Sequence, residues 1–549
     1  MIFCYFGEKG YIMKDHGGRI GPFLLSFALL LGCLAEMMPV QAAGSVYVND
    51  GQSTLSDSLT ESYAVGSGGV SNVGGSYAIT SGGVKQIGAS EGGGGTATTS
   101  GRIVRVGLDY YYSGARNSAV STASLKNSVG QGYQFGYYDS ARIFHNLGYT
   151  GKMEITVLPC AAAGGNYCIK LRTAYQSFDA AQSVAAGYNS AFPAYLYGQY
   201  FVLIGGYSSA ASAQSAMAKL GVAGDVFTGS SRAAAVSVTN SYTTLFMLDC
   251  GTDATLAVHP TTSSGKAVTS YGGKTYYGDF EFLRYISDAF TVINCVGVDD
   301  YVKGSISMEM EPSWPIEALK AQAVCARSYY YVNQRSYNSV GFDVTDDGYS
   351  QSYVGTYRST TNSNLAADQT AGQYLTYGGN VCSTFYFSSD GGGTENCENV
   401  FTAALPYLRG VNDPYEEDVP ASMNSHKSWS YTLSGAALAS KLSGYTGGPI
   451  TDIQVYYSDT NNVIKLVMSD ENGASGTLSK SACCTALGLP SIHYTVTQAE
   501  DSFVFSGGGW GHNVGMSQWG AYSMAHFHGM SYTQILQFYF TGTSISTLD

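Results

Sequence analysis

Charge is scarce in this chain. Asp, Glu, Lys and Arg make up 12% of its 549 residues, about half of what a globular protein usually carries. Positive charge is the scarcer kind: 27 Lys and Arg stand against 40 Asp and Glu, a formal net charge of −13. That balance excludes a broadly basic surface, and no nucleic-acid partner is expected. Ordered cysteine motifs are also missing. Of 11 cysteines, Cys4 and Cys33 fall near the N-terminus, and the rest form no CxxC pair, which excludes a zinc ribbon or a dense disulfide framework. Cys160/Cys168 and Cys382/Cys397 are spaced for local bridges. Cys325 and the adjacent Cys483–Cys484 read as small buried apolar residues. The 8 histidines contain no HExxH pattern, and "HFH" at His526–His528 reads as a solvated loop. After the N-terminal stretch no apolar run is long enough to span a bilayer.

What is present begins with an export signal. Lys14 and Arg19 precede the apolar "PFLLSFALLLGCLAEMMPV", and "VQAAG" supplies small residues for cleavage after Ala42. Residues 1–42 therefore read as a signal peptide, and the protein as secreted. A second reading stays open: "LLGC" is a loose lipobox that would make Cys33 a lipid anchor. Residues 45–101 repeat "SGGV"-like pieces and read as a Gly/Ser-rich linker or a loose strand-turn array. "RIVRVGLDYYY" then opens a strand-rich segment over 102–160.

Residues 166–230 form a self-contained pattern. "YCIKLRTAY" reads as a strand and "SFDAAQSVAAGYN" as a short helix. "FPAYLYGQYFVLIGGY" reads as a hairpin turning at Gly198, "SSAASAQSAMAKLG" as a Ser-capped helix, and "AGDVFTG" as a strand. The order β-α-β-β-α-β is the split ferredoxin-like arrangement. From 235 to 545 strand and helix signals mix, so an α+β fold is expected. Helices are predicted at 315–333, 435–442 and 531–539.

One stretch concentrates ionisable groups: "SMEMEPSWPIEALKAQAVCARSYYYVN", Ser307–Asn333. Pro315 suits the first position of a helix, with Glu317 in its first turn. Ile316, Leu319, Ala323, Ala326 and Tyr330 fall on a core-facing stripe. Lys320 and Arg327, one heptad apart, share another face. Glu309 and Glu311 precede the helix, and on an extended segment both would point to one side. Met308, Met310 and Trp314 offer apolar surroundings. A carboxyl in such a pocket resists ionisation, as a general acid at neutral pH requires. A surface ion cluster would be the plainer reading of the same residues.

The stretch "VDDYVKGSISMEMEPSWPIEALKAQAVCARSYYY" resembles the signature of the SpoIID/LytB family of peptidoglycan lytic transglycosylases. So do "DVTDDGYSQSYVG", "SSDGGGTENCENVF", "LPYLRGVNDPYE" and "GGGWGHNVGMSQWGAYSMA", which follow in order. The resemblance runs from about 240 to 545, with "RIVRVGL" as its first strand. "QYFVLIGGYSSAASAQSAMAKL", Gln199–Leu220, resembles a SPOR domain, a module that binds glycan strands stripped of stem peptides. Together these imply a SpoIID-like mixed domain with an inserted βαββαβ unit. By residue, the resemblance implies Glu309 as catalytic acid/base, and Lys320 and Arg327 as basic residues lining the cleft. Gln351 and Tyr353 belong to its Q-x-Y-x-G element, Thr394 to its GG-x-T element, and His512 and Gln518 to its GHxVGMSQ element. Asn513 stands where the family usually has Gly, a mild departure because Asn tolerates left-handed geometry. Some members hold zinc through a His and cysteines near the SGG element. Here Phe387 stands at the His position, so neither metal nor other cofactor is expected, and Cys382 and Cys397 are left as a disulfide or free thiols.

The implied reaction suits one acid rather than two. Hydrolytic glycosidases use paired carboxylates. A lytic transglycosylase uses the C6 hydroxyl of the substrate's own N-acetylmuramic acid, an internal nucleophile favoured by effective molarity. Trp510, Trp519 and Tyr522 offer flat faces to sugar rings, with core packing as the alternative for each. The expected partner is peptidoglycan glycan. A cell-wall amidase is a further partner if the chain is instead a non-catalytic, wall-binding member of the family.

Overall fold

A computed structural model describes residues 102–548 apart from 113–115, 160–166, 242, 285–288 and 402, together with four short strands between Tyr63 and Gln86. The signal peptide over 1–42, the lipid-bearing reading of Cys33 and the Cys160 half of one bridge lie outside the described residues. Within the Gly/Ser-rich segment, Tyr63–Gly66 pairs antiparallel with Gly69–Asn72, and Tyr77–Thr80 with Gly83–Gln86. No helix among the described residues is long and apolar enough to cross a membrane.

The main unit is α+β. Its seven-stranded sheet runs Phe144–Thr150, Gly132–Tyr138, Ala257–Thr261, Asp279–Leu283, Thr291–Gly297, Ile103–Asp109, Val344–Thr345. Ile103–Asp109 pairs antiparallel with Thr291–Gly297 and parallel with Val344–Thr345. The first strand of the unit is thus closed by residues nearly two hundred positions later in the chain. Val104, Val106, Val292, Phe280 and Phe135 fill the face beneath it and are fully buried.

The segment from Tyr167 to Phe227 is a strand (Tyr167–Leu171), helix α1 (Phe178–Ala185), a hairpin (Ala191–Leu196 and Gln199–Tyr207), helix α2 (Ala210–Leu220) and a strand (Gly224–Phe227). The hairpin turns on Tyr197 and Gly198, both with positive φ, the backbone a tight two-residue turn demands. Ser177 and Ser209 cap the two helices. The four strands are not a free-standing sheet. Ala191–Leu196 pairs parallel with Thr244–Asp249, which carries the sheet on to ten strands. The face away from α1 and α2 is buried at Phe192, Ala194, Leu196 and Leu203.

The C-terminal half is organised around one helix. Helix α3 (Val298–Glu309) follows directly from the strand Thr291–Gly297, and α4 (Ile316–Asn333) follows a short turn. Alanine and other small residues let neighbours approach α4 from all sides, and it is buried around most of its circumference. Packed against it are α3, α5 (Thr361–Gln369), α6 (Gln518–His526) and α7 (Tyr532–Tyr539). The acidic stretch is therefore a helix-turn-helix, and Glu309 ends a helix rather than lying on the extended segment expected from sequence. "VDDYVKGSISME" has buried residues at Tyr301, Val302, Ser305 and Ile306, a helical spacing. Pro312 and Pro315 end the one helix and open the next.

Candidate active site

Glu309 is the last residue of α3 and is buried, 7% exposed. Its backbone position puts the carboxyl at the negative end of the helix dipole, which disfavours ionisation. Burial raises its pKa above the ordinary carboxylate value, against the lowering pull of the hydrogen bond from Ser352. Oε1 accepts the Ser352 backbone N–H at 2.8 Å. Oε2 is buried without a hydrogen-bond partner. A neutral carboxyl in this setting keeps its carbonyl oxygen at Ser352 and its proton on Oε2. No Lys, Arg or His forms an ion pair with Glu309 among the described residues. Glu311 points elsewhere: it is exposed and pairs with Arg358 at 3.2 Å. The two acids do not share a side.

The residues on either side of Ser352 fix it. Gln351 Nε2 donates to the Tyr301 hydroxyl at 3.1 Å and the Ala326 carbonyl at 3.2 Å, while its Oε1 accepts from the Tyr386 hydroxyl at 2.9 Å. Tyr353 stacks on Tyr301 with ring centroids 5.2 Å apart and donates to Asn294 Oδ1 at 2.7 Å. Both side chains are essentially unexposed. Gln351 and Tyr353 therefore reach no ligand. They are positioning residues that clamp α3, α4 and the strand Tyr386–Phe387 around the peptide N–H that holds Glu309.

The expected pair of cations in a cleft is not what the structure shows. Arg327 is fully buried. Its Nε and Nη2 donate to Asp299 Oδ1 at 3.0 and 2.7 Å, and its remaining donors reach the carbonyls of Ala323, Gln373 and Ala367. Every N–H of the guanidinium is engaged, so Arg327 ties α4 to α3, α5 and the strand Gln373–Tyr377, and offers nothing to a ligand. Lys320 is nearer solvent. It bonds Glu317 Oε1 at 2.7 Å and lies 5.6 Å from the Tyr532 ring centroid.

The C-terminal motif packs on the same elements. Tyr386–Phe387 pairs parallel with Met516–Ser517, directly before α6. Gln518 Nε2 lies 3.5 Å from Gln322 Oε1 on α4. His512 sits among Phe385, Phe387 and Phe401 at 6.1, 5.2 and 5.5 Å. Its Nδ1 accepts the Val514 N–H at 3.1 Å. Burial drives its pKa well below the ordinary value, so it is a neutral, structural imidazole. Thr394 is buried in a separate network, its Oγ1 accepting from Val411 N at 3.0 Å and its carbonyl from Asn462 at 3.0 Å. Asn513 has φ +60°, as its place in a glycine position requires, and donates to the Asp390 carbonyl at 2.9 Å. Cys382 and Cys397 are buried free thiols, and Phe387 is buried with them.

Beside the turn that follows Glu309, Trp314 packs on Trp519 at 4.5 Å and on Tyr522 at 5.0 Å. Asn362 holds that turn through the carbonyls of Pro312 and Trp314. Both tryptophans keep part of their surface in solvent. Trp510 is apart from them, packed on the His426 ring with centroids 4.1 Å apart. Sequence reasoning missed Ser352, Tyr386 and Gln322. Ser352 acts through its backbone, and no side-chain pattern could have marked it.

Comparison with known proteins places these residues. Residues 287–377, which hold Glu309, Lys320, Arg327, Gln351 and Tyr353, match the family described as Stage II sporulation protein (SpoIID). An uncharacterised protein of Brachyspira hyodysenteriae is 35% identical over 278 residues, 50% of this chain and 73% of that protein. The stage II sporulation protein D of Bacillus subtilis is 29% identical over 277 residues, 46% of this chain and 76% of that protein. The amidase enhancer of the same organism is 28% identical over 346 residues, 53% of this chain and 47% of that protein.

Proposed function

The chain belongs to the SpoIID family, and from that premise we propose that it is a secreted peptidoglycan lytic transglycosylase. It cleaves the bond between N-acetylmuramic acid and N-acetylglucosamine in denuded glycan strands and leaves 1,6-anhydro ends, in sporulation or wall remodelling. The observation that carries the reading is the setting of Glu309: a buried carboxyl whose pKa burial raises, with one oxygen fixed by Ser352 N–H and the other unpartnered.

In the first half of the reaction Oε2–H gives its proton to the glycosidic oxygen as the C1–O bond breaks. The C6 hydroxyl of the muramic acid then bonds to C1, and its proton passes to the Glu309 carboxylate, which restores the acid. No second carboxylate and no water take part. Since Glu309 is 7% exposed, strand binding must part the wall over Oε2. The flanking Trp314, Trp519 and Tyr522 supply aromatic faces for the neighbouring sugars. Lys320 meets a lactyl carboxylate only by exchanging its Glu317 partner. Arg327 supports α4 and takes no direct part.

The βαββαβ segment, through its resemblance to SPOR domains, brings the enzyme to glycan without stem peptides. Its sheet face opposite the helices is buried, so glycan would meet its helices or its rim. The name of one relative, an amidase enhancer, favours a second reading, in which the chain binds wall glycan and raises the activity of a separate amidase. Amidase-treated peptidoglycan incubated with the purified chain separates the two. The transglycosylase releases soluble glycan with no amidase present. An enhancer releases nothing alone and accelerates amidase on untreated wall.

A further inference from the structure

Behind the strand pair Tyr386–Phe387 and Met516–Ser517 lies a group of acids that the proposed reaction does not use. Asp390, Asp413 and Glu416 are 0, 1 and 4% exposed. One carboxylate oxygen from each lies within 4.8 Å of the others. No Lys, Arg or His forms an ion pair with any of them among the described residues. Isolated buried carboxylates are costly unless paired, protonated or bound to a metal.

Hydrogen bonding divides the three. Glu416 is fully served: it accepts from Asn424 Nδ2 at 3.1 Å, Asp390 N at 2.9 Å, Ser517 Oγ at 2.7 Å and the Ser389 hydroxyl. Asp413 accepts from Tyr415 N at 2.9 Å and from the Tyr539 hydroxyl. Asp390 accepts from Gly392 N at 2.8 Å through Oδ1. Its Oδ2 is buried with no donor, and its carboxyl lies against that of Asp413. Two carboxylates in contact, one with an unserved oxygen, need something positive between them. Gly520 packs directly on this pair: a Cβ there would stand 2.3 Å from Asp413 Oδ2 and 1.9 Å from the Tyr539 hydroxyl, so no side chain fits at that position.

We propose that Asp390, Asp413 and Glu416 bind one hard divalent cation, calcium in the first instance. Calcium takes oxygen ligands at about 2.3–2.6 Å, so ligand atoms within 4.8 Å of one another can all touch a single ion. The donor set is oxygen only, with no thiolate or imidazole, which disfavours zinc and copper. Ser389 and Ser517 hydroxyls can turn away from Glu416 to free a lone pair, and water completes the shell. The site differs in ligands and chemistry from a Cys/His zinc centre. Its consequence is local. Ser517 Oγ also accepts from Gly520 N at 3.1 Å and so caps α6, and the ion fixes the start of the helix that carries Gln518 and Trp519. The proposal is independent of whether the chain cleaves glycan.

The test is metal binding by the full-length protein after dialysis against a chelator. Calorimetric titration with calcium chloride, and separately with magnesium and zinc chlorides, reads stoichiometry. Thermal unfolding reads the coupled stabilisation. One calcium per chain, with a melting temperature raised by at least about 2 °C at saturating calcium, supports the site. Asp390→Asn, which keeps the Gly392 contact and removes a charge, is expected to abolish both signals while the apo protein stays folded. If neither calcium nor magnesium binds the wild type, the acids share protons instead and the proposal fails. It fails equally if Asp390→Asn binds calcium as the wild type does.

Discussion

Replacing Glu309 with Gln separates chemistry from folding. Gln keeps the shape of the side chain and can still accept the Ser352 N–H. It cannot give up a proton to a leaving oxygen. Loss of a general acid costs about 10²- to 10⁴-fold in rate, equivalent to about 3–5 kcal/mol of transition-state stabilisation. Stability moves the other way. Burial holds the folded pKa of Glu309 above its ordinary 4.5. At any pH between the unfolded and folded values the native state therefore binds more protons than the unfolded state. Its contribution is fully present below the unfolded pKa and is lost as pH rises through the folded one. Each pH unit separating the two is worth about 1.4 kcal/mol. Glu309→Gln should thus be at least as stable as wild type at neutral pH, with the advantage vanishing near pH 4. Initial rates of glycan release from amidase-treated peptidoglycan, with urea denaturation across pH 4–8, provide both readouts. A variant that keeps wild-type rate would refute the acid assignment. One that loses activity only because it no longer folds would show that the carboxylate is structural.

Other expectations follow from the same contacts. Arg327→Met removes the side-chain donors to the Ala323, Gln373 and Ala367 carbonyls and to Asp299, and should cost about 1–3 kcal/mol in denaturant unfolding; Lys at 327 should not restore it. Normal stability with weakened glycan binding would mean instead that Arg327 contacts substrate. His512 has a folded pKa well below its unfolded value, so the unfolded chain binds the extra proton. Stability should fall as pH drops below about 6.5, and His512→Phe should flatten that slope in urea midpoints. Gly304→Ala puts a Cβ 2.5 Å from the Tyr353 ring and 2.8 Å from the Gly355 carbonyl. It should destabilise the protein by about 1–3 kcal/mol and slow glycan release further by shifting Ser352.

Several features were legible in the sequence. Helical periodicity and the Pro-flanked turn predicted a helix at 315–333, and it spans Ile316–Asn333. The Ser caps and the turn at Gly198 marked the elements between Tyr167 and Phe227. The apolar neighbours of Glu309 foretold its burial. Helix α3 was misread because β-branched Val and Ile, Gly304 and two serines weaken its helical signal; its packing against α4 overrides local propensity. The cleft cations failed for a different reason. Sequence puts Lys320 and Arg327 on one helical face but does not say that α3 and α5 cover the Arg327 end. The Ser352 clamp was invisible because its chemistry is in the backbone. The acids at 390, 413 and 416 were in view within quoted motifs, but only the fold brings Asp390 across to the other two.

Product mass is the most direct measurement of all. Denuded glycan digested by the wild-type protein, with no amidase or other hydrolase added, should yield fragments ending in 1,6-anhydro-N-acetylmuramic acid, each lighter by one water than a hydrolytic fragment. Fragments with ordinary reducing ends, or intact strands, would contradict a mechanism built on Glu309 and the substrate's own hydroxyl.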